Sequence, residues 1–392
     1  MTLASRLPPA APSRPARTEI FSDLTEAEPY WRALERGHAL MTAYQGFDVL
    51  ARWQRHVGSA EGVTPMIVVS FDRHGAPLFL LPLGRRTITG VRVGEFLGGK
   101  HANFNMGLWW RNGLGIAPDD IKAALETCAT HADALLLGCQ PVTWNGVLNP
   151  MRPLESAPCA SAGHSGTLQA DFDALLRART NSDTRKKMRK KERALAAKGA
   201  VRFERAETPE DVRRILSAFV AQKRARMQAL GQPDVFGERA VQAYIGALAA
   251  EPTLDGPPPA ELYALSIDGN IIATFGGLAR DKRFYGMFVS IAMDEHLAMS
   301  PGEQLLVHVF KDLCARGFTT FDLGTGKARY KDVFCPDEEP LFDSFMPLSA
   351  AGQLYIAAAR LKLAAKRFVK TSPTLWSVLA TARRMQSKIN AS

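Results

Sequence analysis

Ser300-Pro-Gly-Glu303, Asp322 and the pair Tyr330-Lys331 are the residues of this 392-residue chain whose types and spacing could do chemistry. The first four read as a helix start: Ser300 can cap, Pro301 suits the first helical position, and Glu303 can close a capping box. A helix N-terminus with a glycine in its first turn offers unpaired N–H groups and the positive end of the helix dipole. An anion gains roughly 0.3–1 kcal/mol per interaction at such an exposed site. Glu303 competes for the same N–H groups, so a plainly capped core helix is the other reading. Asp322 lies near the end of Phe318-Thr-Thr-Phe-Asp-Leu-Gly324, which places it at the carboxyl end of a strand. Gly324 to Phe334 starts too polar and glycine-rich for core and reads as a loop that delivers Tyr330 and Lys331.

The elements that must position these groups are legible around them. Arg283-Phe-Tyr-Gly-Met-Phe-Val-Ser290 has strand composition. The helix after Ser300 puts Leu305, Leu306, Val309, Phe310 and Leu313 on one face and stops at Gly317. With the strand from Phe318 this makes a β-α-β crossover, so the two strands are expected to run parallel. Upstream come a short strand, Val201–Arg205, then helices over Pro209–Leu230 and Gly237–Ala250. A hairpin follows, Glu261–Ile267 and Asn270–Leu278, on an Asp268-Gly269 turn. These elements give the order β-α-α-β-β-β-α-β, closed by a strand at Leu341–Leu348.

The first half reads as a second α/β unit. It holds an amphipathic helix (Phe47–Val57), a hairpin (Pro65–Phe71 and Pro77–Leu83 about Asp72–Gly75), a helix over Ile116–Ala132 and a buried strand, Ala134–Gly138. Gly94 to Lys100 matches the G-x-x-x-x-G-K part of a phosphate loop. It has His101 where a magnesium-binding Ser or Thr belongs, and no helix pattern follows, so nucleotide hydrolysis is not indicated. His101, Asn103 and Asn105 either line a substrate cleft or form a polar turn. Asp171–Gly199 is a helical connector whose segment Arg185–Arg193 holds seven basic residues and one acid. It is either a solvated helix or a guide for an anionic substrate.

The net charge of +10 is local: that segment contributes +6, Ala351–Ser392 contributes +8, and the remainder is −4. A surface built for duplex DNA would not be so divided. Met1–Arg17 has four prolines and no apolar run, as in a disordered leader rather than a secretory signal. Five cysteines without C-x-x-C spacing indicate reduced thiols in a cytoplasmic protein, with no disulfide framework and no metal. No G-x-S-x-G or H-E-x-x-H element points to a serine hydrolase or metalloenzyme. In the tail, Leu354, Ala358, Leu361, Ala365 and Phe368 share a helical face, with Arg360, Lys362, Lys366, Arg367 and Lys370 largely opposite. Such a helix either docks on the protein itself or lies on anionic lipid. Pro373 interrupts it before Leu375–Ile389.

The order of elements resembles the GNAT superfamily of N-acetyltransferases. From about Tyr44 to Phe345 the chain resembles more specifically the cellulose-biosynthesis-type acetyltransferases, the CelD/BcsL group, distant relatives of the Fem peptidoglycan aminoacyltransferases. Leu80-Leu-Pro-Leu83, Phe96-Leu-Gly98, Arg185, Ser300-Pro-Gly302, Phe321-Asp-Leu-Gly324 and Tyr330-Lys331 carry the resemblance. It implies an α/β (α+β) fold of tandem GNAT-like domains, each a mixed twisted sheet flanked by helices. The expected divisions are a leader (1–17), an N-terminal domain (18–165), a basic helical connector (166–200), a C-terminal acyltransferase domain (201–348) and a basic amphipathic helical tail (349–392).

The activity implied is transfer from acetyl-CoA or another acyl-CoA, without metal, to a sugar or amino-sugar precursor of a polysaccharide. The enzyme would be cytoplasmic, or peripheral at the inner face of the membrane. In this fold the strands Arg283–Ser290 and Phe318–Leu323 splay apart. The backbone at Phe288 and Val289 would bind the pantetheine arm as an added strand would, and Ser300, Gly302 and Gln304 the pyrophosphate. Acyl transfer needs a base and a stabiliser for the tetrahedral oxyanion. Asp322 would be the base or orienting carboxylate, Lys331 the stabiliser, and Tyr330 a lining residue or proton donor. Their plainer readings are a loop cap, a surface lysine and a packing residue. His308 reads as structural. His101, Asn103, Asn105 and Arg185 would meet the acceptor.

Leu297-Ala-Met-Ser-Pro-Gly302 stands where a Q/R-x-x-G-x-G/A loop is usual. Fem-type relatives also lack that loop and draw an aminoacyl group from charged tRNA, which makes tRNA the alternative partner through the basic helix. A non-catalytic partner of a polysaccharide-synthesis complex, attached through the tail, is the third reading.

Overall fold

Alternating apolar residues build two twisted, mixed sheets, and helices cover their faces. The computed structural model describes residues 14–110, 116–326 and 329–371, the side chains of 329–330 and 366–371 excepted. The first half supplies β1 (Arg17–Phe21), β2 (Thr64–Phe71), β3 (Pro77–Ile88), β4 (Val91–Phe96), the short β5 (Leu108–Trp109) and β6 (Ala134–Pro141). Helices α1 (Leu24–Arg36), α2 (Phe47–Trp53) and α3 (Pro118–Glu126) lie between them. A small ladder of β7 (Thr143–Trp144) and β8 (Val147–Leu148) precedes β9 (Ser156–Pro158) and β10 (Gly163–Thr167). The connector is two helices, α4 (Phe172–Arg179) and α5 (Ser182–Ala196), broken where Asn181 caps α5 by accepting from the Thr184 N–H at 2.8 Å.

The second half runs β11 (Val201–Arg205), α6 (Pro209–Leu230), α7 (Arg239–Ala250), β12 (Ala260–Ile267), β13 (Asn270–Arg280), β14 (Arg283–Ile291), α8 (Pro301–Ala315) and β15 (Thr320–Thr325). It ends with α9 (Arg329–Phe334), β16 (Asp337–Glu339), β17 (Leu341–Pro347) and α10 (Ala350–Thr371). The expected hairpins form. At the β12–β13 turn both Asp268 (φ 49°) and Gly269 (φ 82°) are left-handed, as a two-residue hairpin loop requires. The crossover β14–α8–β15 joins parallel strands.

The strands do not sort into sheets by the divisions expected from the sequence. The first sheet has the order β1-β2-β3-β4-β6-β17-β9, with β5 on β3; the second is β11-β12-β13-β14-β15-β10-β16. Residues 163–167 therefore belong to the second sheet and 341–347 to the first, so each half lends the other a strand. The boundaries at 165 and 348 cut across this exchange. Periodicity identifies a strand but not its neighbour, and Leu341, Phe342 and Phe345 find their buried surroundings against β6 rather than β15.

Local differences have local causes. Helix α1 was not expected, although Leu24, Ala27, Trp31 and Leu34 are spaced for one buried face; Pro29 inside it obscures the pattern. The helix expected over Ile116–Ala132 ends at Glu126 and tightens to a 3-10 turn at Thr127–Thr130. Arg17, assigned to the leader, already pairs with Phe71; the rest of that leader to residue 13, and the tail from residue 372, lie outside the described residues. One core runs from the first sheet under α6 and α7 to Tyr285 and Phe288. Another, beneath α8, holds Phe275, Phe284, Phe310 and Phe321.

Candidate active site

The site is built where β14 parts from β15. The two strands pair only at Arg283–Thr320, Phe284–Phe321 and Tyr285–Asp322; β14 then runs on to Ile291 without β15 beside it. The cause lies in the neighbouring ladder, where Gly276 and Gly277 of β13 oppose Phe288 and Gly286. Met287 is left as the extra residue of a bulge. A bulge bends its strand and raises the local twist, and here it falls directly after the last β14–β15 pair. Gly286 allows the close approach just before the parting: a Cβ there would stand 2.8 Å from the Asp322 carbonyl oxygen.

Asp322 lies at the apex of this gap, fully buried. Its Oδ2 accepts from Arg283 Nε at 3.1 Å, and its Oδ1 has no hydrogen-bond partner among the described residues. Burial pushes the carboxyl up to about 7, against the opposing charge of Arg283. Arg283 extends the chain of contacts: Nη2 donates to Glu339 Oε1 at 3.1 Å, which also accepts from Ser165 Oγ at 2.9 Å. Its guanidinium stacks 4.0 Å from the Trp144 ring. The exchanged strand β10 and β16 thus supply Ser165 and Glu339, and β7 supplies Trp144. None of Arg283, Glu339, Trp144 and Tyr285 was singled out from the sequence. An arginine opening an otherwise apolar strand was the signal available for the first.

Lys331 sits on α9, 4% exposed. Its Nζ donates to the carbonyls of Thr325 at 3.0 Å and Gly324 at 3.3 Å, on β15 just past the end of its pairing with β14. Burial lowers its pKa, and the nearby Cys335 and Asp322 partly offset that. α9 is fixed from behind: the Phe334 ring stacks on Phe310 at 4.7 Å, and Arg179 Nη1 donates to the Phe334 carbonyl at 2.8 Å. Asp322 and Lys331 are thus both buried on either side of the Gly324 turn. The Tyr330 side chain lies outside the described residues.

The first half reaches into the gap through one residue of the expected trio. Asn103 Nδ2 donates to the Tyr44 hydroxyl at 2.8 Å and to the Gly286 carbonyl at 3.1 Å. A Cβ on Gly324 would overlap the Asn103 amide at 2.4 Å, so Asn103 wedges between the parted strands. Tyr44 packs edge-on to Tyr285 at 5.8 Å, and burial and Asp322 together hold its phenol protonated well above the usual range. His101 and Asn105 go elsewhere. His101 Nδ1 accepts from Trp53 Nε1 at 3.2 Å beside Tyr244, while Asn105 Nδ2 donates to the Gly138 carbonyl at 3.1 Å. Residues 99–101 form a 3-10 turn, so the alternation that would aim all three one way does not apply.

Two further expectations are corrected. Ser300 does not cap α8: it is left-handed (φ 54°), which turns its hydroxyl away from the helix N–H groups, and no capping box forms. Lys191 Nζ instead donates to Ser300 Oγ at 2.9 Å and Glu303 Oε2 at 3.1 Å, bringing the basic helix to the α8 N-terminus. Arg185 turns back on α4, donating to the Thr180 carbonyl at the end of that helix, where a cation is favoured. Gly302 packs beneath Ile291, Gln304 is buried, and the Phe288 ring is buried against Phe219 at 4.5 Å. Val289 is half-buried.

Residues 182–332 match the family model described as an acetyltransferase (GNAT) domain. Curated protein sequences give no significant match. Among solved structures, the chain is similar to FemX at 11% identity and a TM-score of 0.55, covering 87% of this chain and 99% of that one. It is similar to the C-terminal domain (DUF2156) of a protein assigned as lysylphosphatidylglycerol synthetase from Agrobacterium fabrum, at 14% identity and a TM-score of 0.52. That match covers 88% of this chain and 96% of the other. A protein of unknown function from Bacteroides thetaiotaomicron shares the fold at 10% identity and a TM-score of 0.51, over 83% and 99% of the two chains. Residues 182–332 thus carry a GNAT-fold acetyltransferase domain, and the chain is an acyltransferase.

Proposed function

We propose that this acyltransferase moves an acyl group from a CoA thioester to an amine or hydroxyl of a sugar or amino-sugar precursor of a polysaccharide. The supporting observation is the gap itself: β14 beyond Gly286, whose carbonyl Asn103 holds, keeps a backbone edge that β15 does not cover and that could receive a pantetheine arm as an added strand. The acceptor class rests on the sequence motifs shared with the cellulose-biosynthesis-type enzymes. In the proposed reaction Asp322 Oδ1 takes the proton of the attacking amine or hydroxyl. The new C–N or C–O bond forms, and Lys331 stabilises the oxyanion. Collapse breaks the C–S bond, and the thiolate leaves with a proton from the Tyr44 hydroxyl or from Tyr330.

The basic helix supports a second reading, an aminoacyl-tRNA donor. Lys186, Lys187, Arg189, Lys190 and Arg193 are exposed on α5, whose Lys191 touches the α8 N-terminus. Isothermal titration with CoA, acetyl-CoA and total tRNA separates the two. On the CoA reading, CoA binds saturably and Gly302→Trp abolishes it, because even a Cβ at residue 302 meets Ile291 at 2.9 Å. Binding of tRNA that disappears when those five charges are neutralised, with no CoA binding, would replace it.

We also infer that the tail meets an anionic membrane surface. Among the described residues no helix is long and apolar enough to cross a membrane. Helix α10 docks through Gly352, whose missing Cβ would overlap the Asp133 carbonyl, and through Ile356. The face expected to dock is the one left outward: Leu354 is 75% and Leu361 74% exposed, with Ala358 and Ala365 beside them. Eight basic residues and no acid lie between 351 and 392. Co-sedimentation should show binding to phosphatidylglycerol vesicles and not to phosphatidylcholine vesicles, lost in the Leu354→Asp, Leu361→Asp double variant. Equal pelleting of the variant would remove this assignment.

A further inference from the structure

Three strands that are distant in sequence bring two thiols and a carboxylate together, away from the gap between β14 and β15. Cys139 on β6, Asp343 on β17 and Cys159 just after β9 have their ligand atoms all within 4.8 Å of one another, each residue half-buried. Cys159 Sγ donates to Asp343 Oδ1 at 2.8 Å, and the Cys139 N–H donates to the same oxygen at 2.8 Å. The backbone departs from regular sheet to achieve this. The β6–β17 register shifts between Phe342 and Ser344, and Cys139 is left-handed at φ 58°. That conformation costs a non-glycine residue roughly 1–2 kcal/mol. Asp343 also lines a cavity of about 280 Å³ between the β9–β17 edge and α10, which gives the cluster access from outside.

We propose that Cys139, Cys159 and Asp343 bind a thiophilic divalent cation, zinc by the character of the ligand set. Two sulfurs and one carboxylate suit zinc better than the oxygen-seeking magnesium or calcium. Tetrahedral bonds of about 2.3 Å to sulfur hold two thiolates about 3.8 Å apart, so the cluster closes on a metal with small side-chain shifts. Each thiol gives up its proton on binding. The product is a dication held by two thiolates and a carboxylate, with two protons released and a fourth position for water. The metal would clamp β9 to β6 and β17 at the point where the chain leaves the first sheet, just before β10 enters the second.

The rival chemistry is a peroxide-driven disulfide: one thiol and hydrogen peroxide give a sulfenic acid and water, and the second thiol then gives the disulfide and water. That path makes no use of Asp343, and a carboxylate touching Cys159 repels the thiolate it needs.

The test uses the full chain, reduced, stripped with chelator and titrated with zinc or cobalt(II) alone. One equivalent should bind, raise the melting temperature, and with cobalt show thiolate-to-metal charge-transfer absorption. Cys139→Ser and Cys159→Ser should each lose about half of that absorption. Asp343→Asn should keep the absorption but weaken zinc binding by at least the 10–100-fold that losing an outer supporting partner costs. Cys128→Ser, at a buried thiol elsewhere in the first core, should bind as wild type does. The proposal fails if wild type takes up no metal, if cobalt binds without charge transfer, or if the cysteine variants bind unchanged. A reduced protein that ignores metal but cross-links Cys139 to Cys159 under peroxide would establish the disulfide instead.

Discussion

Asp322→Asn should lower turnover by about 100- to 10,000-fold, the range a positioned general base contributes, while donor affinity stays within a few-fold. The buried Oδ1 has no hydrogen-bond partner among the described residues, and asparagine cannot take a proton there. The pH profile makes the test specific. A base must be ionised to act, and burial holds this carboxyl at about 7. The wild-type rate should therefore climb with pH through that value and level above it, and the residual rate of the variant should not. The same shift has a stability sign. Its folded pKa lies above the ordinary 3.8, so folding favours the protonated form. Its contribution is fullest below the unfolded pKa and is lost as pH rises through about 7. A variant that keeps the wild-type profile would show that Asp322 only organises Arg283.

Lys331→Ala is the second large effect: turnover should fall by about 100- to 1,000-fold, as when an oxyanion donor is removed, with the donor's Kd again within a few-fold. Lys331 also holds the Gly324 and Thr325 carbonyls, so its loss leaves the buried Gly324 acceptor unpaired at a cost of about 1–3 kcal/mol. A lower melting temperature is therefore expected and does not decide the matter. Single-turnover kinetics on folded protein does. If donor affinity and turnover drop in the same proportion, the lysine binds substrate and has no special part in the transition state.

Much of the fold could be read from local signals because those signals are short-range. The Asp268-Gly269 turn names its own hairpin, and the α8 face of Leu305, Leu306, Val309, Phe310 and Leu313 names the crossover helix. The Ser300 cap failed for the opposite reason: Lys191, over a hundred residues earlier, competes for the hydroxyl and for Glu303. The docking face of the tail was decided in a similar way. Its apolar row is real, but a glycine rather than a leucine makes the closest backbone contact, so the other face docks.

The sequence by itself determined the acyltransferase-type succession of strands and helices, and it marked Asp322 on the strand after the crossover helix, with Lys331 beyond a glycine turn. The strand runs on to Thr325, so Asp322 is inside it rather than at its end. Hydrophobic period, turn residues and caps act over a few positions, and they suffice for that succession. Only the tertiary structure decided what surrounds Asp322. Tyr44 and Asn103 come from the first half, Ser165 from an exchanged strand, and Arg283 and Glu339 from strands on either side. Strand partnership depends on which buried surfaces match across the whole chain, and no single stretch of residues carries that information.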